Sequence, residues 1–199
     1  MQTEVPTISF EQAVAQIHTR VTALLSRQER VLIAIDGNSC AGKTTLAAEL
    51  GALCGANVFH MDDYFLQPHM RTPERLSQPG GNVDAERFLA EVLLPASRGE
   101  TAHVQKYDCH EDALLAPVAV LPNRVAVLEG AYSMHPLLTS HYDLRVFCRI
   151  DPALQVSRIL ARNGAEALKV FQSRWIPLEN KYFDELQIVS MCDLIVDAK

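Results

Sequence analysis

Apolar residues recur along the chain with two different periods. Phe10, Val14, Ile17, Val21, Leu24 and Leu25 follow one another three or four apart, so the segment predicts a helix of about 18 residues with one apolar face. Ser9, with Gln12 three residues on, forms a capping box that sets its start. Five other runs are short, apolar and rich in β-branched residues: RVLIAID (30–36), NVFHMDD (57–63), RVAVLEG (124–130), DLRVFCRI (143–150) and DLIVD (193–197). They predict strands buried on both faces. KTTLAAELGALC, DAERFLAEVLL (84–94) and PALQVSRILAR (152–162) predict intervening helices, with Asp84 as N-cap of the second and Pro152 in the first turn of the third. AEALKVFQSRWIPLENKYFDEL is mostly helical with a break near Pro177, and HVQKYD with LLAPVAVLP suggests a hairpin. QPHMRTPERLSQPGGN (67–82) carries three prolines and two glycines and predicts a long loop.

Strands alternating with helices imply a three-layer, doubly wound, five-stranded parallel sheet, with its ligand site at the carboxyl ends of the strands. Residues 1–29 form an N-terminal helix packed on this core, and 30–199 a single domain. The bulk numbers narrow the partners. A net charge of −6 with no basic run argues against nucleic acid. No apolar run approaches the ~20 residues of a membrane span, and MQTEVPTISFEQ has no signal-peptide pattern. The five cysteines, at 40, 54, 109, 148 and 192, stand singly, so the chain reads as a reduced, cytoplasmic protein.

The strongest chemical signal is GNSCAGKTT, which fits G-x-x-x-x-G-K-[ST] between a strand and a helix. Gly37, Asn38, Ser39, Cys40, Ala41, Gly42, Lys43, Thr44 and Thr45 are the expected nucleotide-binding residues, and a nucleotide with Mg²⁺ the expected ligands. Lys43 supplies a point charge to the β- and γ-phosphates and the Thr44 hydroxyl a magnesium ligand. Cys40 reads as a small filler of the turn. Asp62, directly off the second strand, is placed to take a proton from an acceptor hydroxyl. Asp63 supports it or faces solvent. Glu129 ends the third strand and is placed to reach magnesium, or to cap a helix, and Gly130 behind it permits a close approach. Arg158 and Arg162, four apart on one helix, with Arg174 beyond the Asn163-Gly164 break, form either a lid over roughly 158–176 that neutralises the transferring phosphoryl, or a solvated stripe. Trp175 reads as a packing anchor. His60, His69, His110 and His135 lack metal-ligand spacing.

Together these motifs resemble the uridine kinase and phosphoribulokinase family of P-loop kinases. The resemblance rests on GNSCAGKTT, HMDDYF, GGNVDAERF, KYD, VLEGAYS, the arginine helix and CDLIVD, and covers roughly residues 30 to 197. It implies Asp62 as the base on a ribose 5′-hydroxyl, Glu129 at the magnesium site, Asp84 on the ribose hydroxyls, and Tyr64, Phe65 and Tyr107 lining a nucleoside site. It also implies Arg158 and Arg162, less surely Arg174, as lid arginines. The implied activity is ATP-dependent phosphorylation of a small-molecule alcohol, uridine or cytidine first; a homo-oligomer is compatible with it. Three departures bear on the acceptor. ARNGAEALK lacks the clustered lid arginines, His110 comes only three residues after Tyr107, and HMRTPERLSQPGG is longer and richer in turn residues. Other readings are a nucleotide-hydrolysing switch, which NKYFDE fails because Phe183 stands where N-K-x-D needs Asp, and a regulatory nucleotide-binding module without turnover.

Overall fold

The computed structural model describes residues 5–198, so residues 1–4 of the predicted N-terminal segment and Lys199 lie outside the described residues. Strand β1 (Thr7–Ser9) leads into α1 (Phe10–Leu25), β2 (Val31–Gly37), α2 (Lys43–Cys54) and β3 (Asn57–His60). After α3 (Pro73–Ser77) come α4 (Ala85–Phe88) and α5 (Leu94–Arg98), joined by a π-helical turn over Leu89–Leu93. Four short strands, β4 (Ala102–Val104), β5 (Tyr107–Asp108), β6 (Ala113–Leu114) and β7 (Val118–Val120), precede β8 (Val125–Glu129) and β9 (Leu144–Arg149). Helix α6 (Pro152–Val170), a π-helical turn (Phe171–Trp175), α7 (Ile176–Glu185) and β10 (Leu194–Asp197) follow.

The main sheet has the order β1-β10-β9-β2-β8-β3, with every pair parallel. Strand alternation sends β2 side chains into two cores. Val31, Ile33 and Ile35 pack with Ala13, Ile17 and Val21 of α1 and Leu46, Ala47 and Leu50 of α2. Leu32 and Ala34 face the other layer, with Phe88, Val92 and Leu93 and with Tyr182 and Phe183 of α7. Burial on both faces is what made the strand sequences nearly continuous in apolar residues.

Three elements differ from the sequence reading. The sheet has six strands, not five, because Thr7–Ser9 pairs in parallel with Ile195–Asp197. Three residues are too few to show a period, and the pairing depends on a strand far away in the chain. The second predicted strand stops at His60, and Met61–Asp63 forms a 3₁₀ turn that swings both acids off the sheet. Pro177 does not break the helix. It sits in the first turn of α7, and the turn before it, Phe171–Trp175, widens to a π-helix. Proline lacks an N–H and its ring crowds the carbonyl four residues back, and the widened turn accommodates both. The hairpin is found as two ladders, β4 with β7 and β5 with β6.

Candidate active site

The site begins at the carboxyl end of β2. Gly37 has φ +131°, and a Cβ there would lie 2.0 Å from the Cys148 carbonyl oxygen, so only glycine lets the chain leave the sheet at this point. Gly42, at φ +94°, then turns the backbone into α2, aiming its first N–H groups outward, as an anion site requires. Lys43 is buried and folds back, its Nζ donating to the carbonyls of Gly37 and Asn38 at 2.8 Å each. Beneath the loop, Asp36 is fully buried. Its Oδ1 accepts from the N–H groups of Gly37 (2.7 Å) and Tyr132 (3.1 Å), and its Oδ2 from Met134 N–H (2.9 Å) and the Tyr182 hydroxyl (2.8 Å). Burial pushes the Asp36 carboxyl up to about 6, against the pull of these bonds and of Lys43.

Around the phosphate loop lies a cleft of roughly 730 Å³. Lys43, Thr44 and Thr45 line it from α2, Asp62 and Phe65 from the segment after β3, Glu129 and Tyr132 from the end of β8, and Arg158, Arg162, Phe171, Trp175 and Glu179 from the α6–α7 region. Asp62 retains solvent contact through the cleft while protein surrounds it on its other sides. That burial raises its pKa, and Lys43 is the chief group lowering it. Asp63 points elsewhere, paired with Lys106 at 2.7 Å. Gly130 allows the close packing behind Asp62, since a Cβ there would come 2.9 Å from Met61 Cβ. Glu129 is buried. Its Oε1 accepts from Thr44 Oγ1 at 3.2 Å and meets His60 Nδ1 at 2.5 Å. That hydrogen bond is the main reason the His60 pKa is raised. A hydroxyl and a carboxylate side by side at a phosphate loop are the hard oxygen donors that suit Mg²⁺, so Thr44 and Glu129 fit the expected metal.

Arg158 and Arg162 line the same cleft, and Arg174 borders the neighbouring cavity of about 230 Å³. Arg158 Nη1 donates to the Cys40 carbonyl at 3.0 Å, and Arg162 Nε to Asn163 Oδ1 at 2.8 Å. Arg174 lies 4.6 Å over the Trp175 ring, and Trp175 is 6.0 Å from Phe65. Trp175 therefore lines the cleft as well as packing.

Four residues that the resemblance implicated do not line this cleft: Arg174, which borders the neighbouring cavity, and Tyr64, Tyr107 and Asp84. Tyr64 is buried in the core, its hydroxyl donating to Glu91 (3.0 Å) and Arg87 stacked 4.2 Å above its ring. Tyr107 is bound to Arg71 at 2.6 Å and to Asp112, latching the long loop to the hairpin. Asp84 caps α4 through Arg87 N–H (3.1 Å) and pairs with Arg87 Nε at 3.2 Å.

Four residues of the site escaped sequence reasoning. Glu179 accepts from Ser39 N–H at 3.0 Å and from Ser39 Oγ, and burial raises its pKa. Nothing in NKYFDE or its surroundings pairs it with a loop 140 residues away. His60 was weighed only as a metal ligand and given no role beside Glu129, which it meets only when β3 pairs with β8. Tyr132 has φ +73°, a left-handed conformation that no local pattern announces. Asp36 did carry a signal, a charge closing an otherwise apolar strand.

A parallel sheet whose central strand runs through a glycine loop into a helix, with carboxylates from the two strand ends beside it, defines the α/β P-loop NTPase fold. No family model matches the chain. Among solved structures it is similar to one from Bacillus stearothermophilus described as a possible uridine kinase, at 20% identity and TM-score 0.66, covering 92% of this chain and 98% of that one. It is similar at 24% identity and TM-score 0.66, with the same coverage, to a Silicibacter sp. TM1040 protein provisionally assigned as a fructose transport system kinase. A circularly permuted P-loop protein from Saccharomyces cerevisiae, provisionally assigned as a kinase, aligns at 14% identity and TM-score 0.59, covering 92% of this chain and 98% of that one. Among the described residues no helix is long and apolar enough to cross a membrane.

Proposed function

We propose that the protein is an ATP-dependent kinase that transfers the γ-phosphoryl group to a hydroxyl of a small molecule, with the 5′-hydroxyl of uridine or cytidine as the first acceptor to test. The observation that carries this reading is Asp62. Among the described residues it makes no salt bridge, and it lines the same cleft of roughly 730 Å³ as the phosphate loop. A hydrolase needs only a water there, and a binding module needs no acid at all.

In this reading the loop N–H groups and Lys43 hold the β- and γ-phosphates of ATP. Magnesium, held by Thr44 and Glu129, would neutralise charge between them. Asp62 accepts the proton of the attacking hydroxyl as its oxygen bonds to the γ-phosphorus and the bridging bond to the β-phosphate breaks, leaving ADP. Burial, which raises the Asp62 pKa, makes it a better base, and Lys43 is the chief group opposing that rise. Arg158 and Arg162 neutralise the equatorial oxygens and, with the lid closed, exclude water. Phe65 and Trp175 offer flat walls to a base. A second reading, in which the acceptor is another sugar or small alcohol, draws on Asp84, whose carboxylate is engaged by Arg87 and the cap.

The test is product analysis with γ-labelled ATP over uridine, cytidine, D-ribose, D-fructose and simple alcohols. Label on one of these supports the kinase. Label only on inorganic phosphate makes the protein a hydrolase, and no release makes it a binding module. The 2′-deoxy nucleoside, run alongside, reports on the sugar contacts.

A further inference from the structure

His60 closes β3, Glu129 closes β8, and the two are register partners in the parallel pair. Residues opposite one another in a ladder project from the same face of the sheet, so their side chains can interact. His60 Nδ1 meets Glu129 Oε1 at 2.5 Å, and Thr44 Oγ1 donates to the same oxygen at 3.2 Å. A carboxylate only accepts, so the imidazole nitrogen carries the hydrogen. Among the described residues no hydrogen bond falls on Glu129 Oε2, and it is not one of the sealed-in atoms left without a partner. This second oxygen therefore stays open where Glu129 lines the cleft.

The two partners border different spaces. Glu129 lines the cleft of roughly 730 Å³, whereas His60 lines a separate cavity of about 210 Å³ with Val58, Phe59, Lys106 and Val118. The imidazole thus reaches the carboxylate from outside the cleft and acts there only through Glu129. It is also the wrong donor for Mg²⁺, which takes oxygen. Thr44, the other partner of Glu129, is itself one of the two donors that fit the metal. His60 is the support that stands outside the site.

A glutamate side chain turns about several bonds, and one left to swing loses that freedom when it takes a metal. A partner that already holds one carboxylate oxygen removes part of this cost before the metal arrives, and orients the other oxygen. We propose that His60 is a positioning residue for the metal site: its Nδ1–H holds Glu129 Oε1, so that Oε2 is kept free for the Mg²⁺ of a bound nucleotide. The same strand end carries Asp62 two residues further on, in the turn Met61–Asp63. The end of β3 thus delivers both the support of the metal site and the candidate base. The proposal deepens the kinase reading, and rests on it only for a nucleotide with Mg²⁺ in the cleft.

Three variants test it. His60→Phe keeps a flat ring and removes the donor, His60→Ala does so without bulk, and His60→Asn returns an amide N–H near the place of Nδ1. Calorimetric titration of a non-hydrolysable ATP analogue, with and without Mg²⁺, gives the gain in affinity that the metal supplies, and needs no turnover. In His60→Phe and His60→Ala that gain should fall about tenfold, with affinity in the absence of Mg²⁺ unchanged, and His60→Asn should recover most of it. In a Glu129→Gln background His60→Phe should change nothing further, because its effect passes through the carboxylate. A gain that ignores the loss of the donor, a loss that His60→Asn does not recover, or additive losses in the double variant would each overturn the proposal. So would a wild type whose affinity for the analogue ignores Mg²⁺. The expected pattern in a protein that phosphorylates no alcohol keeps the positioning role and removes the kinase. Transfer to an alcohol, with a metal gain indifferent to His60, does the reverse.

Discussion

At the scale of single residues, the phosphate loop was legible because its chemistry is local. The glycines and the lysine must stand at set spacings for the backbone to wrap an anion. Lys43→Ala should abolish turnover and weaken ATP binding, read by ADP release and by titration calorimetry. Undiminished activity would remove the kinase reading. Asp62→Asn should lower kcat by ~10²-fold or more with ATP affinity nearly intact. Asp63, spent on Lys106, should cost much less when changed to Asn, and equal losses would mean that the base is wrongly assigned. Glu129 was legible as an acid at a strand end, but its bond to His60 was not, since the two meet only when β3 and β8 pair. That bond yields its own test. Glu129→Gln should bring the His60 pKa back down toward its ordinary value, measured by NMR titration. It should also raise the Mg²⁺ concentration needed for half-maximal rate. An unmoved histidine would mean that the contact is not maintained in solution.

At the scale of elements, long and strongly periodic segments were readable, and short or context-dependent ones were not. Helix α1 was found from its period and its capping box, where Ser9 N–H donates to Gln12 Oε1 at 3.3 Å. Strand β1 was missed, because its place is decided by β10 rather than by its own three residues. The Asn163-Gly164 break was read correctly: Gly164 has φ +83° and ψ 173°, inside a helix otherwise continuous to Val170. A side chain there meets open space, so the restriction is the backbone and not packing. Gly164→Ala should cost about 1–3 kcal/mol if that conformation is kept, or straighten the helix and displace Arg162. The observable is a lower melting temperature in the first case and a lower kcat in the second, and a variant with both unchanged would mean that the position does not need glycine's backbone freedom. Amide exchange over 158–176 should slow when an ATP analogue and acceptor are both present. Equal exchange with and without ligands would make the arginines a static surface stripe. Glu179 ties α7 to the loop at Ser39, so Glu179→Ala should speed exchange at the Ser39 amide in the free protein.

For the whole molecule, Asp36 links the phosphate loop, the segment after β8 and α7 through one carboxylate. Its pKa is raised from 3.8 to about 6 by burial, so the folded state holds this proton more tightly than the unfolded chain. Its contribution to stability is therefore fully present below about pH 4 and is lost as pH rises through about 6. Two pKa units correspond to about 3 kcal/mol. Relative to Asp36→Asn, the wild type should gain roughly that much between pH 7 and pH 4 in denaturant titrations. A pH-independent difference would mean that Asp36 stays ionised throughout.

The sheet order also governs when the protein can come into being. Among the described residues, β1 pairs only with β10, and β9 lies between β10 and β2. During synthesis β1 must wait for β10 until residues 194–197 have left the ribosome, although the phosphate loop emerges about 150 residues earlier. Glu179, Tyr182 and the helix carrying Arg158 and Arg162 also arrive late. A nascent chain halted before α7 would carry the nucleotide-binding motif without the residues that buttress it. Binding of ATP to stalled chains of increasing length should accordingly appear in one late step, after α7 and β10 have emerged, and not gradually from the loop onward.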